Sequence, residues 1–307
     1  MIRILITITF TIFFYGMHAQ EVVIDGDLKM GGKQIKEVAD PSDAQDVATK
    51  NYTYSKAEVD EIVAEMQNQI NVLKIANLPQ QFTKKAVIDN FTGTWCPYCP
   101  NTAYAYELVA AQSNKVFRVE VHNGDPMTNV FATQLEEAFN ITGWPTSYIN
   151  RSYVWTFPQA NNVDQALNAA QGNTNLGLAI ASTLTGAQLQ IKVTSGFLEN
   201  KTNLKLVVLV LENQILNNQE NYTPHYGGEP IISNFEHNDV LRYAATNILG
   251  DPTPSTIGEH KHYYNVALDA YGVLQPSKTA ILAMLLNENG VLLNAQYAAV
   301  NQTQNFD

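Results

Sequence analysis

The chain contains almost no cysteine: Cys96 and Cys99 are the only two in 307 residues. Set three positions apart, they close too small a loop to hold a domain together. This excludes the multi-disulfide framework that staples small secreted domains. Basic residues are also few, 18 Lys+Arg against 29 Asp+Glu, for a formal net charge of −11. A scattered acidic surface of this kind argues against nucleic acid as a partner. Beyond the N-terminus no stretch reaches eighteen apolar residues, so the rest of the chain is expected to be soluble or peripherally attached. No GxSxG, no HExxH and no EF-hand spacing occurs, so hydrolase and calcium-loop readings find no support.

The first twenty residues, MIRILITITFTIFFYGMHAQ, have the layout of a secretory signal peptide. Arg3 gives a basic start, ILITITFTIFFY an apolar core, and Met17-His18-Ala19 a small-residue cleavage site. Residues 1–19 are therefore expected to direct export, with an uncleaved anchor as the alternative. No cysteine lies near the cleavage site, so a lipid anchor is not supported. Loss of Arg3 would leave the mature chain one unit more acidic.

Residues 20–54 are poor in apolar groups and carry turn formers at Gly26, Gly31, Gly32 and Pro41. Such an arm encloses no core of its own. The string GDLKMGGKQIKEVADPSDAQDVATKNY resembles the short repeat of phage tail fibres and trimeric bacterial surface proteins. Residues 55–76 then read as a helix. Ser55 and Glu58 form a capping box, and Val59, Val63, Met66, Ile70 and Leu73 follow at spacings of four, three, four and three. Two readings stay open for this seam: packing on the following domain, or self-association through residues 21–75, with a trimer implied by the fibre-like arm. Asn77-Leu78-Pro79 ends the helix.

Lys84–Phe91 (KKAVIDNF) predicts a strand, Gly93 breaks it, and helical patterning resumes after Pro97 in NTAYAYELVAA. Strand, turn and helix put Cys96 at or near the helix N-cap and Cys99 one turn inside. The helix dipole and uncompensated amides favour a Cys96 thiolate. Cys99, more buried, would resolve the mixed disulfide that Cys96 forms. A zinc site needs a second ligand pair, and only His122 is near in sequence. No metal and no cofactor are expected. VFRVEVHN (116–123) predicts a second strand and VFATQLEEAF (130–139) a helix. In NITGWPTSYIN (140–150), Pro145 is expected cis at a strand start, where the backbone can pair with an incoming peptide.

TWCPYCP followed by GWPT resembles the thioredoxin fold, with the Cys-Pro-Tyr-Cys of glutaredoxins. More narrowly, IDNFTGTWCPYCPNTA is similar to the Omp28-related outer membrane proteins of Bacteroidetes, over residues 82–305. That resemblance implies a thioredoxin-like domain with Cys96 as attacking and Cys99 as resolving cysteine. It implies Pro145 as the cis-proline, with Trp95, Trp144, Pro145 and Thr146 forming the substrate-binding lip. It also implies export to the periplasm or the outer membrane and cell surface. Two departures stand out. Asn90 occupies the place of the buried aspartate of thioredoxins, with Asp89 one step back, and Trp144 is bulkier than the usual residue ahead of the proline.

Residues 158–172 predict a last helix, with Val163, Ala166, Leu167 and Ala170 on one face. Thereafter the texture is period two. Strands are expected at 175–183, 188–197, 203–212, 261–269, 278–287 and 291–300, with Glu288-Asn289-Gly290 as a hairpin turn. LKLVVLVLE reads as a central strand. The expected architecture is multi-domain α+β: a thioredoxin-like domain (80–172) and a β-sandwich (173–307), with a polar insertion at 213–260. His237, Asp239 and Arg242 are expected to share a helical face or hairpin rim within it. Glu259, His260 and His262 read as a solvated strand end or a metal cluster.

Two functions follow. One is an exported thiol–disulfide oxidoreductase acting on protein or peptide disulfides. The other is a non-enzymatic binding or structural protein with cell-envelope partners and peripheral outer-membrane association.

Overall fold

The computed structural model describes Gly31, Ser42 and residues 53–307. The expected signal peptide and nearly all of the fibre-like arm lie outside the described residues. The chain divides into two units, residues 1–64 and 65–307. A helix, α1 (Lys56–Ile75), runs across that division, and none of its residues is buried. Its start is a capping box: the Ser55 amide donates to Glu58 Oε2 at 2.7 Å and the Glu58 amide to Ser55 Oγ at 3.2 Å. Among the described residues no helix is long and apolar enough to cross a membrane.

Within residues 65–307 the elements follow in order. The first part holds β1 (Phe82–Thr83), β2 (Ala86–Thr92), α2 (Pro100–Ala110), β3 (Val116–His122) and α3 (Val130–Phe139). It continues with β4 (Thr146–Ile149), β5 (Tyr153–Val154) and α4 (Val163–Ala169). Then come β6 (Asn173–Thr174), β7 (Leu176–Thr185), β8 (Gln188–Phe197), β9 (Lys205–Glu212), β10 (Ile215–Glu220) and β11 (Ile231–His237). The last are β12 (Val240–Ala244), β13 (Asp251–Pro252), β14 (Gly258–Ala267), β15 (Thr279–Leu286), β16 (Leu292–Ala299) and β17 (Thr303–Gln304). The architecture is mixed α+β with a sandwich-like region.

One large sheet has the order β16-β15-β9-β12-β3-β2-β4-β5, and a smaller one the order β14-β8-β7-β17. The large sheet thus takes strands from both sides of residue 172. β12 makes the join, antiparallel to β9 and parallel to β3. Period-two alternation decides what covers each face. Leu206, Val208 and Val210 of β9 meet Leu178, Ile180, Ile191 and Val193 of the smaller sheet. Val207, Leu209 and Leu211 point the other way, into a core shared with Val87, Phe91, Val119 and Leu135 under α3. Burial on both faces explains why β9 is apolar nearly throughout. Ala86 and Ile88 of β2 pack with Ala105, Val109 and Trp155 below α2.

The stretch 213–260 differs from a loop-like insertion. It contains the hairpin β10–β11, the joining strand β12, the short β13 and the start of β14. ILNNQE and IISNFEH carry too few apolar groups to register as strands. In β10 only Ile215 and Gln219 are buried, in β11 only His237. His237, Asp239 and Arg242 share no helical face: β11 ends at His237, and Arg242 lies in β12.

Candidate functional site

β2 delivers the cysteine loop. After Thr92 the chain turns, with the Cys96 amide donating to Gly93 O at 3.0 Å and the Cys99 amide to Cys96 O at 3.2 Å. Gly93 is required by space. A Cβ there would stand 2.7 Å from Trp95 Nε1 and 2.9 Å from Asn123 O. Cys96 and Cys99 are joined as a disulfide, with Cα atoms 5.4 Å apart. Helix α2 begins about a turn later than expected, with its N-cap three residues beyond Cys96. Cys99 is the N-cap and Pro100 the first helical residue, a position where proline loses no hydrogen bond and its ring presets φ. Cys96 therefore sits a turn ahead of the helix.

The second loop lies alongside. The Trp144–Pro145 peptide is cis, as is Phe157–Pro158. Thr146 opens β4 opposite Phe91 of β2, and its hydroxyl donates to Gly143 O at 2.7 Å. Trp95 and Trp144 meet edge to face with ring centroids 5.6 Å apart, and Trp95 Nε1 donates to Asn123 O. The structure thus brings Trp95, Trp144, Pro145 and Thr146 to the same end of β2 as the cysteines.

A third piece covers this loop and had no signal in the sequence. The end of β10 and the residues after it lie along residues 93–97. The Glu220 amide donates to Thr94 O and the Tyr222 amide to Pro97 O, both at 2.8 Å. The buried Gln219 amide group donates to Cys96 O at 3.0 Å and Gly93 O at 3.3 Å. Tyr222 meets Tyr98 edge to face, and His225 stacks on Tyr104 with centroids 4.0 Å apart. Tyr226 donates to Glu107 Oε1 at 2.7 Å. Asn221 braces the tip through bonds to Thr223, His225 and Glu229. In this disulfide state Cys96 is 1% exposed and Cys99 3%, whereas Trp95 is 40% and Tyr98 52% exposed. An open sulfur at Cys96, expected from its place before a helix, is not what this state presents.

Beneath the loop lies a polar layer. Asn90 pairs in register with Glu120 of β3. Its Nδ2 donates to Glu120 Oε2 at 2.8 Å, and its Oδ1 accepts from Ser147 Oγ at 2.7 Å. Arg118 reaches Glu120 at 3.0 Å and Asp239 at 3.4 Å. Burial raises both carboxyls above their ordinary values against the pull of Arg118. Asp89, the alternative acid, faces the other side of β2 and pairs with Arg151 at 3.4 Å.

Next to Thr94, Asp125 accepts from its amide and sits 2.6 Å from His122 Nδ1. Burial pushes Asp125 up, but the bonds from His122, Thr94 and Met127 outweigh it and bring the carboxyl below its ordinary value. His237 packs edge to face on His122, and burial followed by the His122 charge pushes it down to about 3. His260 and His262 find partners in Thr256 and Thr253.

A family model of outer membrane protein Omp28 matches residues 132–304, more than half of the chain. The chain belongs to the Omp28 family. The match begins downstream of the cysteine loop, whereas the resemblance read from the sequence started at residue 82. The match takes in Trp144, Pro145, the covering hairpin and the strands from β4 onward. As an Omp28 member the chain is a cell-envelope protein of the periplasm or outer membrane. No curated protein matches it in sequence.

Among solved structures, HBP35 of Porphyromonas gingivalis is similar at a TM-score of 0.57 and 18% identity, over 72% of this chain and 76% of that one. At that identity the likeness speaks to the fold alone. A domain of the outer membrane lipoprotein Omp28 from Porphyromonas gingivalis matches at a TM-score of 0.29 and 14% identity, over 41% of this chain and 88% of that one. That overlap is too loose to carry an argument.

Proposed function

We propose that this Omp28-family protein is a thiol–disulfide oxidoreductase of the cell envelope, acting on protein or peptide disulfides. In this reading residues 80–172 are a thioredoxin-like domain and residues 173–307 a β-sandwich that shares its large sheet. The observation carrying it is the Cys96–Cys99 disulfide at the start of α2, beside the Trp144–Thr146 entry to β4. A cysteine pair that close together does nothing to cross-link the fold, whereas its place ahead of a helix suits a thiolate. Cys96 would attack the substrate disulfide and Cys99 would release it. Trp95, Trp144, Pro145 and Thr146 would contact the substrate. Exchange requires the Gln219–Tyr222 segment to lift, because it lies across the loop.

A second reading is favoured by the burial of both sulfurs: a binding or structural protein of the envelope, peripherally attached to the outer membrane, with a sealed disulfide. In either reading, residues 21–75 would assemble copies through the α1 seam, as a trimer. Insulin reduction by thiol-reduced protein separates the two functions. The oxidoreductase should turn over, and Cys96→Ser should abolish it. Equal rates in both proteins would leave only the binding reading.

A further inference from the structure

In the oxidoreductase reading, on which this inference rests, Cys96 becomes joined to a substrate sulfur while Cys99 stays a thiol. Cys99 can attack only after its proton leaves. At 3% exposure it has almost no contact with bulk solvent. It does line a cavity of about 270 Å3 between α2, β3 and the hairpin. A water needs roughly 10–15 Å3 of such space, so several fit.

The groups facing this cavity differ in their fitness to take a proton. His237 from β11, pushed down to about 3, is a poor base at neutral pH. Glu236 beside it is held by Asn238. From α2, Glu107 accepts from Tyr226 and lies at the exposed rim, while Tyr106 lies under Arg118. Asp239 is held by Tyr297 at 3.1 Å as well as by Arg118. Glu120 stands apart. It is buried, its strand lies beside the one that enters the cysteine loop, and its side chain is positioned by Asn90. One guanidinium, Arg118, serves the two carboxylates Glu120 and Asp239. The cluster therefore has one acid in surplus, and a buried surplus charge favours taking up a proton. His122, on the same strand, has its own carboxylate in Asp125, so it leaves that surplus in place while still opposing the burial of Glu120.

We propose that Glu120 is the proton acceptor for Cys99, reached through water in this cavity and held in place by Asn90. The S–H bond of Cys99 breaks and its proton passes to the Glu120 carboxylate. The Cys99 sulfur bonds to Cys96, and the bond from Cys96 to the substrate sulfur breaks. The electron pair leaves with the substrate thiolate, which is protonated by solvent. Burial, opposed by Arg118, His122 and Asn90, raises the Glu120 carboxyl above its ordinary value.

The test is stopped-flow reaction of fully reduced protein with the aromatic disulfide DTNB. The first thionitrobenzoate is released by Cys96 and the second by Cys99. Glu120→Gln should leave the first phase within about twofold and slow the second at pH 7 by at least about tenfold, the low end of general-base effects. Glu120→Asp should restore part of the second phase. In the unsubstituted protein the second phase should titrate well below the ordinary thiol value of about 8.5. A second phase that rises only near that value, or that Glu120→Gln leaves unchanged, overturns the role of Glu120 alone. No thionitrobenzoate from the reduced unsubstituted protein overturns the oxidoreductase reading itself.

Discussion

Asp89 and Asn90 are adjacent in β2, yet the pleat sends them to opposite faces. Asp89 is locked to Arg151 under α3, while Asn90 links Ser147 to Glu120 on the side of the cysteine loop. The resemblance to thioredoxins implied an acid at the position that Asn90 holds. It offered no way to see that a buried acid, Glu120, lies one strand over, because that depends on the β2–β3 register. A signal did exist: Arg118, Glu120 and His122 alternate through an otherwise apolar strand, and buried charges in period two are rarely idle. His237 was legible only as a histidine. Its burial has a consequence for pH. An unfolded histidine titrates near 6.5 and the folded one at about 3. Between those values the unfolded chain binds a proton that the folded chain does not, so acidification from 6.5 towards 3 destabilises the fold. Each unit of difference is worth about 1.4 kcal/mol as an upper figure. His237→Phe keeps the ring contacts with Phe235 and His122. It should flatten the loss of urea-unfolding stability over that window. An unaltered pH profile would mean that His237 is not held neutral by burial.

At the scale of elements, the strands that are apolar in period two or apolar throughout could be read directly. β8, β9, β15 and β16 lie within two residues of their expected bounds. The hairpin β10–β11 was read as an irregular insertion for a physical reason. It packs by backbone and amide hydrogen bonds and ring contacts, leaving little apolar periodicity. Its role as a cover is testable through Gln219, whose side chain donates to Cys96 O and Gly93 O. Each buried bond contributes about 1 kcal/mol net, so Gln219→Ala should speed reduction of the Cys96–Cys99 disulfide by a phosphine roughly tenfold. Maleimide labelling over time reads that rate. If the rate did not change, the hairpin would not control access. The same element accounts for the buried Cys96, which reasoning from the start of α2 alone missed.

At the scale of the whole molecule, a two-domain division around residue 172 remains a proposal, and strands from both sides of it share one sheet through β12. That join was not legible, because a parallel β12–β3 contact links residues 120 apart, Val240 and Glu120. The family match runs across residue 172, from residue 132 to residue 304. The α1 seam of Val59, Val63, Met66, Ile70 and Leu73 leaves no side chain buried. If it assembles copies, removing residues 21–75 should reduce a trimer to a monomer in analytical ultracentrifugation. An unchanged mass would remove the seam as the reason for assembly.

The central claim is that Cys96 and Cys99 form a working exchange couple and not a sealed bridge. Equilibration of the full chain with glutathione redox buffers, read by intact mass after thiol trapping, tests it most directly. A working couple with proline inside the pair should equilibrate between about −230 and −120 mV. A bridge that stays oxidised in buffers poised at about −300 mV would be structural and would contradict the account.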